Sequence, residues 1–120
     1  MVAEFLYEIT LFKQDQKMWS PITIEELSIE INKALPKLNA ETLLFWDNIR
    51  IVPQKWQEKE YGNEGGGFWV VAIFGKSVIW YNDIEEGFNV SVYSNYGEIE
   101  EFGAEQDELD WCLNKIINKK

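Results

Sequence analysis

The chain has 120 residues, 46% of them hydrophobic and 15% aromatic, so it has the size of one domain (residues 1–120) and enough apolar side chain to bury a core. It contains no histidine and one cysteine, which excludes Ser-His and Cys-His catalytic dyads, an intrachain disulfide and a cysteine-based zinc site. The formal net charge of −10 disfavours nucleic acid and anionic membranes as partners.

The first predicted elements are a strand and two helices. Residues 4–12 alternate between apolar and polar side chains, which predicts a half-buried strand. A helix is predicted to start at Thr23, where Glu26 completes a capping box, and to end at Pro36. A shorter helix is predicted over residues 40–46.

The middle of the chain predicts an antiparallel meander. Pro53 interrupts its first strand, which suits a sheet edge, and residues 68–74 are apolar on both faces, which is typical of a central strand. Gly75 and Lys76 predict a two-residue hairpin turn. The meander comprises five predicted strands, at residues 50–59, 68–74, 77–82, a segment beginning at 87, and 98–102.

A final helix is predicted from the spacing of Leu109, Cys112, Leu113, Ile116 and Ile117, which form one apolar stripe. On that stripe, the cysteine is expected to be buried and unreactive. The predicted fold class is α+β: a single antiparallel sheet of about five to six strands, in the order β-α-α-β-β-β-β-β-α, with the helices mainly on one face.

The N-terminal residues lack the basic segment and the cleavage site of a signal peptide, and no run approaches the ~18 apolar residues of a membrane span. We therefore expect a cytoplasmic protein.

The negative charge is concentrated in one stretch. Between Lys76 and Lys115 there is no basic residue, whereas the rest of the chain holds 11 acidic and 11 basic residues. The stretch contains ten acids: Asp83, Glu85, Glu86, Glu98, Glu100, Glu101, Glu105, Asp107, Glu108 and Asp110. Such a block attracts basic partners at long range.

The same strands carry tyrosine and tryptophan, the side chains that most often anchor protein interfaces. Packing under a helix is the other interpretation of these aromatic residues. Because acids surround them, we predict a recognition surface for a basic protein partner, with no metal site and no cofactor. The predicted binding surface consists of Trp80, Tyr81, Asp83, Glu85, Glu86, Tyr93, Tyr96, Glu98 and Glu100.

Three other chemistries receive less support. The loop at 62–67 lacks the lysine and the hydroxyl residue of a phosphate-binding loop. The oxygen-rich turn around Asp83 does not match the spacing of an EF-hand loop. Carboxylate pairs can catalyse hydrolysis, but the sequence singles out no pair.

In composition and layout, this small acidic α+β chain resembles bacterial immunity proteins, a resemblance that implies binding of a basic toxin and carries no residue roles. The leading hypothesis is a non-enzymatic binding protein, either immunity- or inhibitor-like or an adaptor. The alternative is a small carboxylate-based hydrolase or a small-molecule-binding domain. A deep pocket ringed by partly buried acids favours the alternative, and a flat acidic face with exposed aromatics favours binding.

The uncompensated acids predict that salt stabilises the protein. Raising NaCl from about 0.01 M to about 0.15 M shortens the screening length from about 30 Å to about 8 Å and weakens their mutual repulsion. We expect the melting temperature to rise by a few degrees, as measured by circular dichroism. A melting temperature that does not change with ionic strength would mean that the acids are paired or protonated.

Overall fold

The computed structural model describes residues 19–118. These residues form three α-helices and four β-strands, with short 3-10 turns at Leu35–Lys37 and Gly62–Gly65. In chain order the elements are α1 (Ile24–Ala34), α2 (Ala40–Ile49), β1 (Arg50–Trp56), β2 (Phe68–Phe74), β3 (Ser77–Asn82), β4 (Gly87–Val92) and α3 (Leu109–Asn118).

The strands form one antiparallel sheet in the order β1-β2-β3-β4, which confirms the predicted α+β class. β2 is a central strand, as its two apolar faces predict, and β1 lies at an edge with an irregular register between Arg50 and Gln54, around Pro53. The hairpin turn between β2 and β3 places Gly75 at φ 59°, where a side chain would be strained.

The prediction of five to six strands is wrong for the described residues, which form four. The predicted strand at 4–12 lies outside them. Residues 98–102 do not form a strand, because this segment makes only an isolated bridge between Glu98 and Gln57. Its backbone instead lies across one face of the sheet.

The helices start and end where local side chains satisfy the backbone. The Thr23 hydroxyl accepts a hydrogen bond from the Glu26 N–H (3.1 Å), and the Glu26 carboxylate accepts from the Thr23 N–H (3.0 Å), which confirms the capping box. The Asn39 side chain caps α2 by accepting from the Thr42 N–H at 2.8 Å.

Each face of the sheet packs against its own cluster of buried side chains. All three helices contribute to the first cluster, which contains Leu27 of α1, Trp46 of α2 and Cys112 of α3 together with Ile79 and Tyr81 of β3. Cys112 is fully buried, as expected, and this burial raises the pKa of its thiol to about 12. The second cluster lies on the opposite face and consists of Trp56, Phe68, Val70, Val78, Trp80 and Ile99.

Three buried polar side chains hold the segment after Ile99 against this second face. Asn82 donates to the Gly103 carbonyl at 2.7 Å, and the Ser91 hydroxyl donates to the Glu101 carbonyl at 3.2 Å. Asn89 donates to the Glu105 carbonyl and accepts from the Glu105 N–H, each at 3.0 Å. These side chains supply the partners that a neighbouring strand would otherwise provide.

A buried carboxylate fixes the loop between β1 and β2. Glu58 is 2% exposed, and its carboxylate accepts hydrogen bonds from the N–H groups of Glu60, Tyr61 and Gly62 at 2.7 to 3.1 Å. Both oxygens of this buried side chain therefore accept hydrogen bonds from backbone N–H groups.

Asn89→Ala tests whether the side-chain anchors hold the second face. The variant leaves the Glu105 N–H and carbonyl without their partner, so we expect a loss of about 2–4 kcal/mol in the free energy of unfolding. Urea denaturation measures it. The control is Asn95→Ala, since Asn95 is exposed and its side chain makes no hydrogen bond in the described residues. Equal stability of the two variants would contradict the anchoring role.

Candidate acidic cleft

The structure does not bring the nine predicted residues onto one surface. Trp80 is fully buried in the second cluster, and Tyr81, the next residue, points to the opposite face and is 6% exposed. Because consecutive residues of a strand alternate between faces, the two cannot serve one binding surface. Trp80 instead donates its indole N–H to the Ser91 hydroxyl at 2.9 Å inside the core.

Three of the predicted residues meet in a cleft of about 500 Å³ between α1 and the turn that joins β3 to β4. We call it the acidic cleft. Tyr81 comes from the end of β3, and Asp83 and Glu86 come from the turn. The complete lining is Trp19, Ser20, Ile22, Glu26, Ile29, Glu30, Tyr81, Asp83 and Glu86.

Asp83 attaches the segment before α1 to the sheet and so forms one wall of the cleft. Its carboxylate accepts from the Ile22 N–H at 2.7 Å, and its carbonyl accepts from the Trp19 indole N–H at 3.1 Å. The Trp69 indole N–H donates to the Ile22 carbonyl at 2.9 Å. These long-range bonds place an aromatic ring beside the carboxylates of the turn.

The surroundings of Tyr81 and Asp83 in the cleft disfavour the charged forms of these two side chains. Burial raises the pKa of Tyr81 to about 12, and the neighbouring carboxylates of Glu30, Glu86 and Asp83 add to the shift. Burial also raises the pKa of Asp83, against the opposing hydrogen bond from Ile22. The Asp83 Oδ1 atom is buried and accepts no hydrogen bond from the described residues. An incoming cation or hydrogen-bond donor would relieve these costs.

The turn between β3 and β4 is held by hydrogen bonds to Asn82 and contains an unusual backbone conformation at Glu86. The Asn82 side-chain carbonyl accepts from the N–H groups of Ile84 and Glu85, both at 3.0 Å, and the Glu86 N–H donates to the Asn82 carbonyl at 2.7 Å. Glu86 adopts φ 62°, the one non-glycine residue of the described chain in the left-handed region. Such a conformation is costly for a side chain with a Cβ, so the turn holds an exposed carboxylate at the cleft at the expense of backbone strain.

The remaining predicted residues lie elsewhere. Tyr93 and Tyr96 pack against Trp56 with ring centroids 5.0 and 4.8 Å apart, and their hydroxyls donate to the Gly75 carbonyl and the Gln54 side chain. Glu85 is half-buried in the turn but does not line the acidic cleft, and Glu98 is exposed. Glu100 lines a shallow depression with Glu60, Tyr61, Glu101 and Phe102.

Trp19, Glu26 and Glu30 also line the cleft, although their sequence positions did not predict a place on a binding surface. The two glutamates lie in the stretch where acids and bases balance, and Glu26 has a visible local role in the capping box. Only the fold, through bonds that join residues 64 and 61 positions apart, brings them to Asp83.

The described residues contain no group of three or more acidic or cysteine side chains arranged to hold a metal ion. Within residues 19–118, no helix is long and apolar enough to cross a membrane.

Asp83→Asn tests the cost of the buried carboxylate while retaining an oxygen for the Ile22 N–H. Because the pKa of Asp83 is raised in the folded state, its contribution to stability is present below the unfolded pKa of 3.8 and is lost as pH rises through the folded pKa. We expect the variant to gain stability over the parent between about pH 3 and about pH 7, as measured by urea denaturation. Glu85→Gln, with the same change in charge, is the control. If the difference in the free energy of unfolding between Asp83→Asn and the parent did not change with pH, burial of the Asp83 carboxylate would carry no cost.

Comparisons of the chain with protein-family models, with curated proteins and with solved structures find no match.

Proposed function

We propose that this protein is a non-enzymatic binding protein that docks a basic protein partner at the acidic cleft. One observation carries the proposal. The cleft gathers the carboxylates of Glu26, Glu30, Asp83 and Glu86, and its lining within the described residues includes no basic side chain.

The cleft also offers an apolar wall beside its charges. Trp19, Ile22 and Ile29 line it, and Ile29 is 54% exposed. A lysine or arginine side chain has an apolar stem and a charged end, so it can pack against this wall while its head meets the carboxylates. The indole ring of Trp19 offers a further favourable surface for a cation.

The charge of the rest of the chain supports the same partner. Ten acids between Lys76 and Lys115 create a field that draws a basic protein towards this region and speeds association. An immunity- or inhibitor-like protein that neutralises a basic toxin is one concrete form of the proposal, and an adaptor is another.

A small-molecule-binding domain is the second candidate, because a cleft of about 500 Å³ with a partly buried Asp83 is the concave site that the sequence analysis assigned to the alternative. Its ligand would be an organic cation. The docking proposal fits better, since Glu26, Ile29 and Glu86 are exposed and leave the cleft open, whereas small-molecule sites enclose most of their ligand. A hydrolase has less support, because the Glu26 and Glu86 carboxylates that line the cleft with Asp83 are exposed to solvent.

The test compares two double variants of equal charge. Glu26→Gln with Glu86→Gln removes two carboxylates from the cleft, and glutamine still completes the capping box. Glu100→Gln with Glu101→Gln removes the same charge from the opposite side of the sheet. Partners captured from a lysate are identified, purified and measured with each variant by biolayer interferometry at two salt concentrations.

We expect the cleft variant to bind a basic partner about ten-fold more weakly, with slower association and a smaller salt dependence. The Glu100→Gln, Glu101→Gln control should weaken binding less than two-fold, because it removes only long-range attraction. The proposal would be overturned by a captured partner that is acidic or uncharged and whose affinity is the same for the parent and for the Glu26→Gln, Glu86→Gln variant.

A further inference from the structure

A second, smaller cavity of about 190 Å³ adjoins the acidic cleft along α1. The two share Glu30, Tyr81 and Glu86 as lining residues, so they meet above the Tyr81 side chain. We call the second one the adjoining cavity. The two lie side by side between α1 on one side and the turn and the residues before α3 on the other, and we call the pair the groove.

The two ends of this groove differ in charge. The adjoining cavity contains lysines, but these are already engaged: Lys33 pairs with Glu30 at 3.5 Å and Lys37 pairs with Glu108 at 3.2 Å. Its lining also includes Ala34 and the buried side chains of Phe88 and Leu109. The acidic cleft therefore presents the carboxylates of Glu26, Asp83 and Glu86, which form no ion pair with a described residue, whereas the adjoining cavity is lined by paired charges, Ala34 and nearly buried apolar side chains.

We propose that this groove binds an extended segment of the partner, with a lysine or arginine side chain in the acidic cleft and an uncharged, apolar side chain in the adjoining cavity. The inference rests on the proposed function and adds the shape and pattern of what is recognised. Charge complementarity fixes the end at which the basic residue lies.

The length of the groove sets the spacing of the two side chains. Glu26, which lines only the acidic cleft, and Ala34, which lines only the adjoining cavity, are eight residues apart in α1, or about 12 Å at about 1.5 Å per residue. An extended chain covers that distance in three to four residues at about 3.3 Å each. Because alternate side chains of an extended chain point to the same side, the partner segment should carry its basic and apolar residues four positions apart, which spans about 13 Å at about 3.3 Å per residue.

The test uses two probes: N-acetyl-arginine amide, which fills only the acidic cleft, and the peptide acetyl-Arg-Ala-Ala-Ala-Leu-amide, which spans the groove with both end side chains on the same side. Binding is followed by the chemical-shift changes of the ¹⁵N-labelled protein. We expect the peptide to bind about five-fold more tightly than the arginine amide, because its leucine is partly buried. Glu26→Gln with Glu86→Gln should weaken both probes.

Ala34→Leu fills the adjoining cavity and should abolish the advantage of the peptide without weakening the arginine amide. Gln106→Phe fills the same cavity from its opposite wall and replaces the first variant if that one does not fold. If both probes bind and both filling variants leave the peptide's advantage intact, the groove is wrong while the proposed function stands. If neither probe binds the parent, and a basic partner binds the Glu26→Gln, Glu86→Gln variant as tightly as the parent, the proposed function fails as well.

Discussion

The side-chain amide of Asn82 joins the segment on the second face of the sheet to the turn between β3 and β4. Its N–H₂ group holds the Gly103 carbonyl on the second face of the sheet, while its oxygen organises the N–H groups of the turn that carries Asp83 and Glu86. The residue is fully buried, so every one of these hydrogen bonds replaces a contact with water. One buried group thus contributes both to the closure of the core and to the position of the acidic cleft.

This arrangement explains how a strongly acidic stretch is held against the fold. The segment that covers the second face carries Glu100, Glu101 and Glu105, whose like charges oppose its close packing. The anchoring partners are its backbone groups, and the charged side chains of these glutamates remain exposed. Nearby, Lys115 pairs with Asp107 at 2.8 Å and raises the stability of the connection to α3.

Local patterns in the sequence predicted most of the fold and little of the site. The capping box at Thr23, the central strand β2 and the stripe of α3 depend on neighbouring residues, so their spacing is visible in the sequence. Residues 98–102 were predicted to be a strand, but this segment makes one isolated bridge at Glu98, and its Glu101 carbonyl accepts a hydrogen bond from the Ser91 side chain. The acidic cleft depends on hydrogen bonds from Trp19 and Ile22 to Asp83. Neither the charge nor the spacing of the residues predicts contacts between positions so far apart in the sequence.

The edges of the sheet carry a consequence for behaviour in concentrated solution. An unpaired strand edge is a template for pairing with another copy of the chain. Here Pro53 and the irregular register interrupt the edge of β1, and Asp107 accepts from the Phe88 N–H at the start of β4. With a net charge of −10 opposing the approach of identical molecules, this sheet is protected against edge-to-edge aggregation on both sides.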